Sequence, residues 1–258
     1  MYFPYTTLFR SSVALAIAAL LFAGWHSTRS FRALQSFISP LLSIPHAAAA
    51  FGVAFLIAPS GWLMRLASPG MTGFTRPPDY LFPGDPGGWA LILGLVVKEV
   101  PFLVLIALAA WPQLRAPQKL QVASGLGYGR IAGFFLAVWP QLYAQIRLAI
   151  FAVIAFSSSV VDVALILGPS APPTLPVKLL TWMNDPDISM RFMASAGAVL
   201  QLAITLVCMG VWLVLERVFA KIANNLANAG WRRFWDRPIR ILSLGLVTAL
   251  IAMMVLGL

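Results

Sequence analysis

Lys98 and Glu99 interrupt the apolar run at residues 89–111, and Asp162 stands six residues from the end of the run at 144–168. A charge inside hydrocarbon is costly, so such residues mark an ion or substrate path or pair with one another inside a helix bundle. At about 1.5 Å rise per residue, Lys98 and Asp162 fall at depths only a few ångströms apart on spans of opposite direction. Two expectations therefore stand side by side. Glu99 and Asp162 line a translocation path and attract a cation, or Lys98 and Asp162 form an ion pair that only holds two helices. The remaining reactive side chains are sparse. His26 and His46 stand twenty residues apart with no Cys cluster, so no metal site is expected. Cys208 is alone inside an apolar run, which excludes a disulfide framework. No HExxH helix, Ser-Lys arrangement or GxxxxGK[ST] loop is present, which disfavours an intramembrane enzyme or an ATPase and leaves the chain with no cofactor of its own.

The elements that must hold these residues are membrane helices. Of the 258 residues, 60% are hydrophobic and 10% charged, against about 25% charged in soluble domains. Apolar stretches near the 20 residues needed to cross hydrocarbon occur at 12–25, 47–66, 89–111, 144–168, 190–215 and 241–258. The sequence predicts an all-α, polytopic helix bundle whose surrounding partner is the lipid bilayer. The net charge of +10 reports topology and not nucleic acid, because the basic residues fall between spans. Arg29, Arg32, Arg115, Lys119, Arg130, Arg217, Lys221, Arg232, Arg233, Arg237 and Arg240 lie in one set of loops; only Arg76 and Lys178 lie in the other. The basic set is placed in the cytoplasm. The opposite loops, rich in Pro and Gly, are expected to form ordered turns. Pro101 should kink its span, Trp89, Trp111, Trp182 and Trp212 read as interface anchors, and Asn224, Asn225 and Asn228 as a solvated face.

Residues 3–11 read FPYTTLFRS, which looks like the in-frame translation of a widely used short-read sequencing adapter. Residues 1–11 are therefore expected to be an adapter artefact, to be left out of reasoning about the fold. The 14-residue first span and the last span, still apolar at Leu258, read as cut helices. The expected organisation is a transmembrane domain at 12–216 lacking its first helix, a cytoplasmic linker at 217–240, and the first helix of a missing second half at 241–258.

One stretch carries a functional resemblance. Residues 121–140, QVASGLGYGRIAGFFLAVWP, resemble the cytoplasmic loop of binding-protein-dependent ABC importer permeases, whose pattern is Glu-Ala-Ala, three residues, Gly, nine residues, Ile, one residue, Leu-Pro. Ala123, Gly127 and Pro140 match; Gln121 stands for Glu, Val122 for Ala, Ala137 for Ile and Trp139 for Leu. Downstream, residues 157–180 are similar to the Ser-x-Gly-Asp-Phe-Gly and Thr-Leu-Pro segments of thiamine-type and ferric-iron-type permeases, with Asp162, Gly168, Thr174, Leu175 and Pro176 in order. The resemblance implies the importer permease (MetI-like) fold in the inner membrane, with Gln121, Ala123, Gly127 and Pro140 in the ATPase-coupling loop. It also implies ATP bound and hydrolysed on a cytoplasmic ABC ATPase dimer, an external solute-binding protein, a second permease half or subunit, and a small cationic or metal-bearing nutrient. An ion-gradient-driven secondary transporter or channel, with Lys98, Glu99 and Asp162 as its ion site, is the competing expectation.

Overall fold

The computed structural model describes residues 4–228 and 236–256, and every regular element among them is helical. In chain order these are α1 (Pro4–Trp25), α2 (Arg29–Ser43), α3 (His46–Ile57), α4 (Trp62–Ala67), α5 (Trp89–Ala110), α6 (Ala116–Gly125), α7 (Arg130–Ala137), α8 (Trp139–Ser159), α9 (Asp162–Leu167), α10 (Leu175–Met183), α11 (Met190–Asn228) and α12 (Asp236–Leu256). Six stretches among them are long and apolar enough to cross a membrane.

The central element is α5, which packs against α1, α2, α3, α8, α9 and α12. Its start is fixed locally. Asp85 accepts from the backbone N–H groups of Trp89 (2.7 Å) and Ala90 (3.0 Å), satisfying two donors that a helix N-terminus leaves open and placing negative charge at the positive end of the dipole. Both faces of α5 are apolar and its middle is buried throughout, including Lys98 and Glu99. Pro101 lies inside it, where it deprives the Val97 carbonyl of its helical partner. At Gly94 the helix comes so close to α9 that a Cβ there would collide with Leu167 Cδ1.

Two paths through the bundle are broken rather than continuous. Residues 26–46 contain a helix too polar and too short to read as a span. Thr28 Oγ1 accepts from Phe31 N at 3.2 Å and starts α2, whose Phe31, Leu34, Ile38 and Leu41 form one buried stripe at helical spacing. Pro45 then stops the run and α3 begins at His46. The expected span at 144–168 likewise divides. The helix starts earlier, at Trp139 with Pro140 in its first turn, ends at Ser159, and resumes as α9 after Val160 and Val161.

The ends differ from expectation too. α1 begins at Pro4, so residues 4–11 of the FPYTTLFRS segment are continuous with the first span, and Arg10 and Ser11 are buried. Nothing after Pro4 in that segment breaks a helix. At the other end, residues 217–228 of the expected linker extend α11, and residues 236–240 open α12. The 39 residues of α11 make a rod of about 58 Å, nearly twice a 30 Å hydrocarbon layer. Asn224, Asn225 and Asn228 are exposed on this extension. Arg232 and Arg233 of the linker, Phe3, and Gly257 and Leu258 of the last span lie outside the described residues. Trp89 is exposed as an interface anchor would be, but Trp212 is buried against α8 and is no lipid-facing belt residue.

Candidate functional site

At the basic end of the bundle, Gln121 and Ala123 of the loop motif lie on the short surface helix α6, Gly127 lies just past its end, and Pro140 lies in the first turn of α8. Pro117 sits in the first turn of α6, and the other end closes with a Schellman arrangement. Tyr128 N donates to Ala123 O at 3.1 Å and Gly127 N to Ser124 O at 3.0 Å. Gly127 takes φ +84°, a left-handed geometry that costs about 1–2 kcal/mol for any side chain with a Cβ. Ala123 is buried; its methyl group would lie 3.2 Å from a Cβ on Gly133, so α6 and α7 touch nearly backbone to backbone there. Gln121, Gly127 and Pro140 are exposed, as are the apolar Val122 and Leu126. Lys119 Nζ donates to the Gln141 side chain, tying α6 to the first turn of α8. Beside it a cavity of about 530 Å³ opens, bounded by Val122, Leu126, Phe135, Pro140 and, on the α11 extension, Ala223 and Asn224. The arrangement presents a small apolar ridge on a fixed helix, suited to seating in another protein.

The same end is locked to α1 by arginines. Arg130 donates to the His26 carbonyl (2.5 Å) and to the Ala23 carbonyl (3.3 Å), and Arg240 Nε donates to the Gly24 carbonyl at 3.0 Å. These are carbonyls that the end of a helix leaves unpaired, and cations there also meet the negative end of its dipole. Arg240 further lies over the Trp25 ring at 5.0 Å, and Trp25 Nε1 donates to the Arg240 carbonyl at 2.7 Å. His26, with Nδ1 2.8 Å from the Phe22 carbonyl, is held below the ordinary imidazole pKa, chiefly by burial; the carbonyl bond opposes this and the Arg130 charge adds to it.

The intramembrane charges meet at the two breaks. Lys98 and Glu99 stand nine and ten residues into α5, about 14–15 Å from its start and near mid-depth. Lys98 Nζ donates to the Ile44 carbonyl at 2.7 Å and the Leu41 carbonyl at 3.2 Å, closing the end of α2 where Pro45 interrupts the chain. Glu99 Oε1 accepts from Ser157 Oγ at 2.6 Å, two residues before α8 ends at Ser159, while its Oε2 is buried with no hydrogen-bond partner among the described residues. The Lys98–Asp162 pair does not form. The expectation treated α8 and α9 as one straight helix; the break instead leaves Asp162 exposed at the first turn of α9. His46, its ring 4.7 Å from that of Phe156, lies within electrostatic reach of both Lys98 and Asp162. Sequence spacing missed His46 and Ser157 as neighbours of these charges. The signals available were Pro45 before His46 and the run of serines at 157–159 before the break. The described residues contain no cluster of three or more metal-ligating side chains.

The chain is 32% identical over 187 residues to the inner membrane ABC transporter permease protein YnjC of Escherichia coli (strain K12), an alignment covering 72% of this chain and 35% of that protein. The chain thus spans about a third of the length of this relative. No family model and no solved structure matches it. The similarity supports a permease of an ABC transporter, and together with the six membrane-crossing helices it makes the chain a multi-pass inner-membrane protein.

Proposed function

We propose that this chain forms part of the permease of an ATP-driven ABC importer. A small solute, handed over by an external binding protein, crosses by alternating access, and ATP is hydrolysed on a separate cytoplasmic ATPase dimer. The observation that carries this reading is α6: a short helix closed at left-handed Gly127, showing Val122 and Leu126 at the basic end between two spanning helices. The similarity to an inner membrane ABC transporter permease supports it. In this reading Gln121, Ala123, Gly127 and Pro140 build the coupling loop. A second permease half or subunit completes the pathway, with residues 217–240 leading toward it. The broken helices around Lys98 and Glu99 then border the route of the solute. Irregular backbone at that depth is tolerated where it is buried in protein or lines a cavity, and transporters use such breaks at their binding sites.

The test is association. Val122→Glu and Leu126→Glu each place a charge on the apolar ridge without touching the core, so each should abolish co-purification of the ABC ATPase in detergent while membrane insertion is unchanged. Undiminished ATPase recovery with both variants would remove the reading. The unpartnered Glu99 oxygen favours a second possibility, an ion-gradient-driven carrier; uptake into proteoliposomes that follows an imposed proton or sodium gradient and ignores ATP would select it.

A further inference from the structure

Four side chains of α8 and α11 meet at the basic end of the bundle. Tyr143 Oη donates to Glu216 Oε1 at 2.5 Å, and the Trp212 indole N–H donates to Tyr143 Oη at 2.9 Å. Arg147 Nε lies 3.1 Å from both Glu216 oxygens, and its Nη2 reaches Oε2 at 2.8 Å. This is a forked, charge-assisted pair, stronger and more directional than neutral hydrogen bonds. The Tyr143 hydroxyl accepts from one partner and donates to another, so the cluster forms a chain whose bonds reinforce each other. Trp212 is 5% exposed. Tyr143 follows Pro140 by three residues, so the cluster grows from the opening turn of the helix that leaves the motif loop. A second polar layer joins the same two helices further along. Ser158 Oγ and Thr205 Oγ1 are 2.8 Å apart, and Gln201 Nε2 donates to the Ser158 carbonyl at 2.9 Å. Fifteen residues separate Tyr143 from Ser158, about 22 Å of helix.

We propose that Tyr143, Arg147, Trp212 and Glu216 clamp α8 to α11 so that the two helices move as one lever, carrying displacement of the motif loop into α11. This rests on the permease reading above. Apolar helix faces in lipid have little reason to hold one register, because the tails are as apolar as the side chains, whereas interhelical hydrogen bonds fix it. A slide of α11 by a single residue moves it about 1.5 Å and turns it about 100°, which would part all four side chains at once. The outer face of α11 is plain apolar surface, with Val199, Leu202, Leu206, Val207 and Val214 exposed, so the polar contacts with α8 are what fix its register against that helix. The four residues are positioning residues, remote from any reacting atom.

The test uses the assembled transporter in nanodiscs with spin labels at Leu66→Cys on α4 and Phe219→Cys on α11, both exposed, the native Cys208 being buried. Distances are read by electron–electron resonance without nucleotide and with ATP plus vanadate. In the otherwise unmodified protein the distance should shift on trapping. Glu216→Ala should lose that shift while ATP hydrolysis persists, Tyr143→Phe should weaken it in a protein that assembles normally, and the exchange R147E/E216R should restore it. A full shift in both Glu216→Ala and Tyr143→Phe overturns the clamp and leaves the permease reading standing. No bound ATPase and no shift in the unmodified protein overturns the permease reading, and the clamp as a carrier of motion falls with it.

Discussion

At Gly94 α5 has no room for a side chain against α9, which yields a prediction whose sign depends on a second residue. A Cβ at Gly94 would collide with Leu167 Cδ1 and lie 3.7 Å from Leu167 Cγ and 3.8 Å from Val163 Cγ1. Leu167 is 0% exposed, so its methyl group has no open space to turn into. Overpacking of this kind costs about 1–3 kcal/mol. Against it, Gly→Ala inside a helix gains about 0.5–1 kcal/mol. Gly94→Ala should therefore destabilise the protein by about 1–2 kcal/mol. Leu167→Ala alone should cost about 2–5 kcal/mol through the cavity it leaves. In that background the obstructing methyl is gone, so adding Gly94→Ala should stabilise by about 0.5–1 kcal/mol. The assay is SDS-induced unfolding in mixed micelles for the four members of the cycle, followed by tryptophan fluorescence. A coupling energy of about 1.5–3 kcal/mol with reversal of sign is expected. Equal destabilisation by Gly94→Ala in both backgrounds would refute the close approach of α5 and α9 at this position.

Two further outcomes follow from buried polar groups. Lys98→Met removes the donor to the Leu41 and Ile44 carbonyls; each carbonyl left bare costs about 1–3 kcal/mol, partly offset by the relief of a buried charge. Hydrogen exchange should therefore rise first at residues 41–46, and unchanged exchange there would contradict the role of Lys98 in closing α2. His26 is held below its ordinary value of 6.5 by burial, so the folded state prefers the neutral ring. Its contribution to stability is complete above pH 6.5 and declines as the pH falls through the lower folded value. Thermal unfolding between pH 7 and pH 5 should accordingly be steeper in pH for the unmodified protein than for His26→Gln.

Much of the helical plan was legible because lipid imposes one rule on every span. The run at 89–111 lacks any break except Pro101 and appears as α5 almost residue for residue. The turn at Gly127 was legible, since its φ of +84° favours glycine. What escaped was local. α2 carries Arg29, Arg32, Ser36 and Pro40 among its apolar residues, so total hydropathy hides it, and only the spacing of Phe31, Leu34, Ile38 and Leu41 reveals it. The ion pair expected between Lys98 and Asp162 failed because depth was counted along a straight helix, and a break at Val160 and Val161 turns Asp162 away. Trp212 was read by residue type as a lipid anchor; its indole N–H instead donates to Tyr143, 69 residues distant in sequence.

The arginines that close α1 impose an order on its synthesis. The Ala23 carbonyl waits for Arg130, 107 residues later, and the Gly24 carbonyl for Arg240, 216 residues later. At about 5–20 residues per second a ribosome needs about 5–20 s to deliver the first and about 10–40 s to deliver the second. Through that interval the end of the first helix depends on water and lipid headgroups for its hydrogen bonds. Early in biogenesis the C-terminal end of α1 is thus held by water and packing alone, and its hydrogen bonds are completed only when α12 arrives.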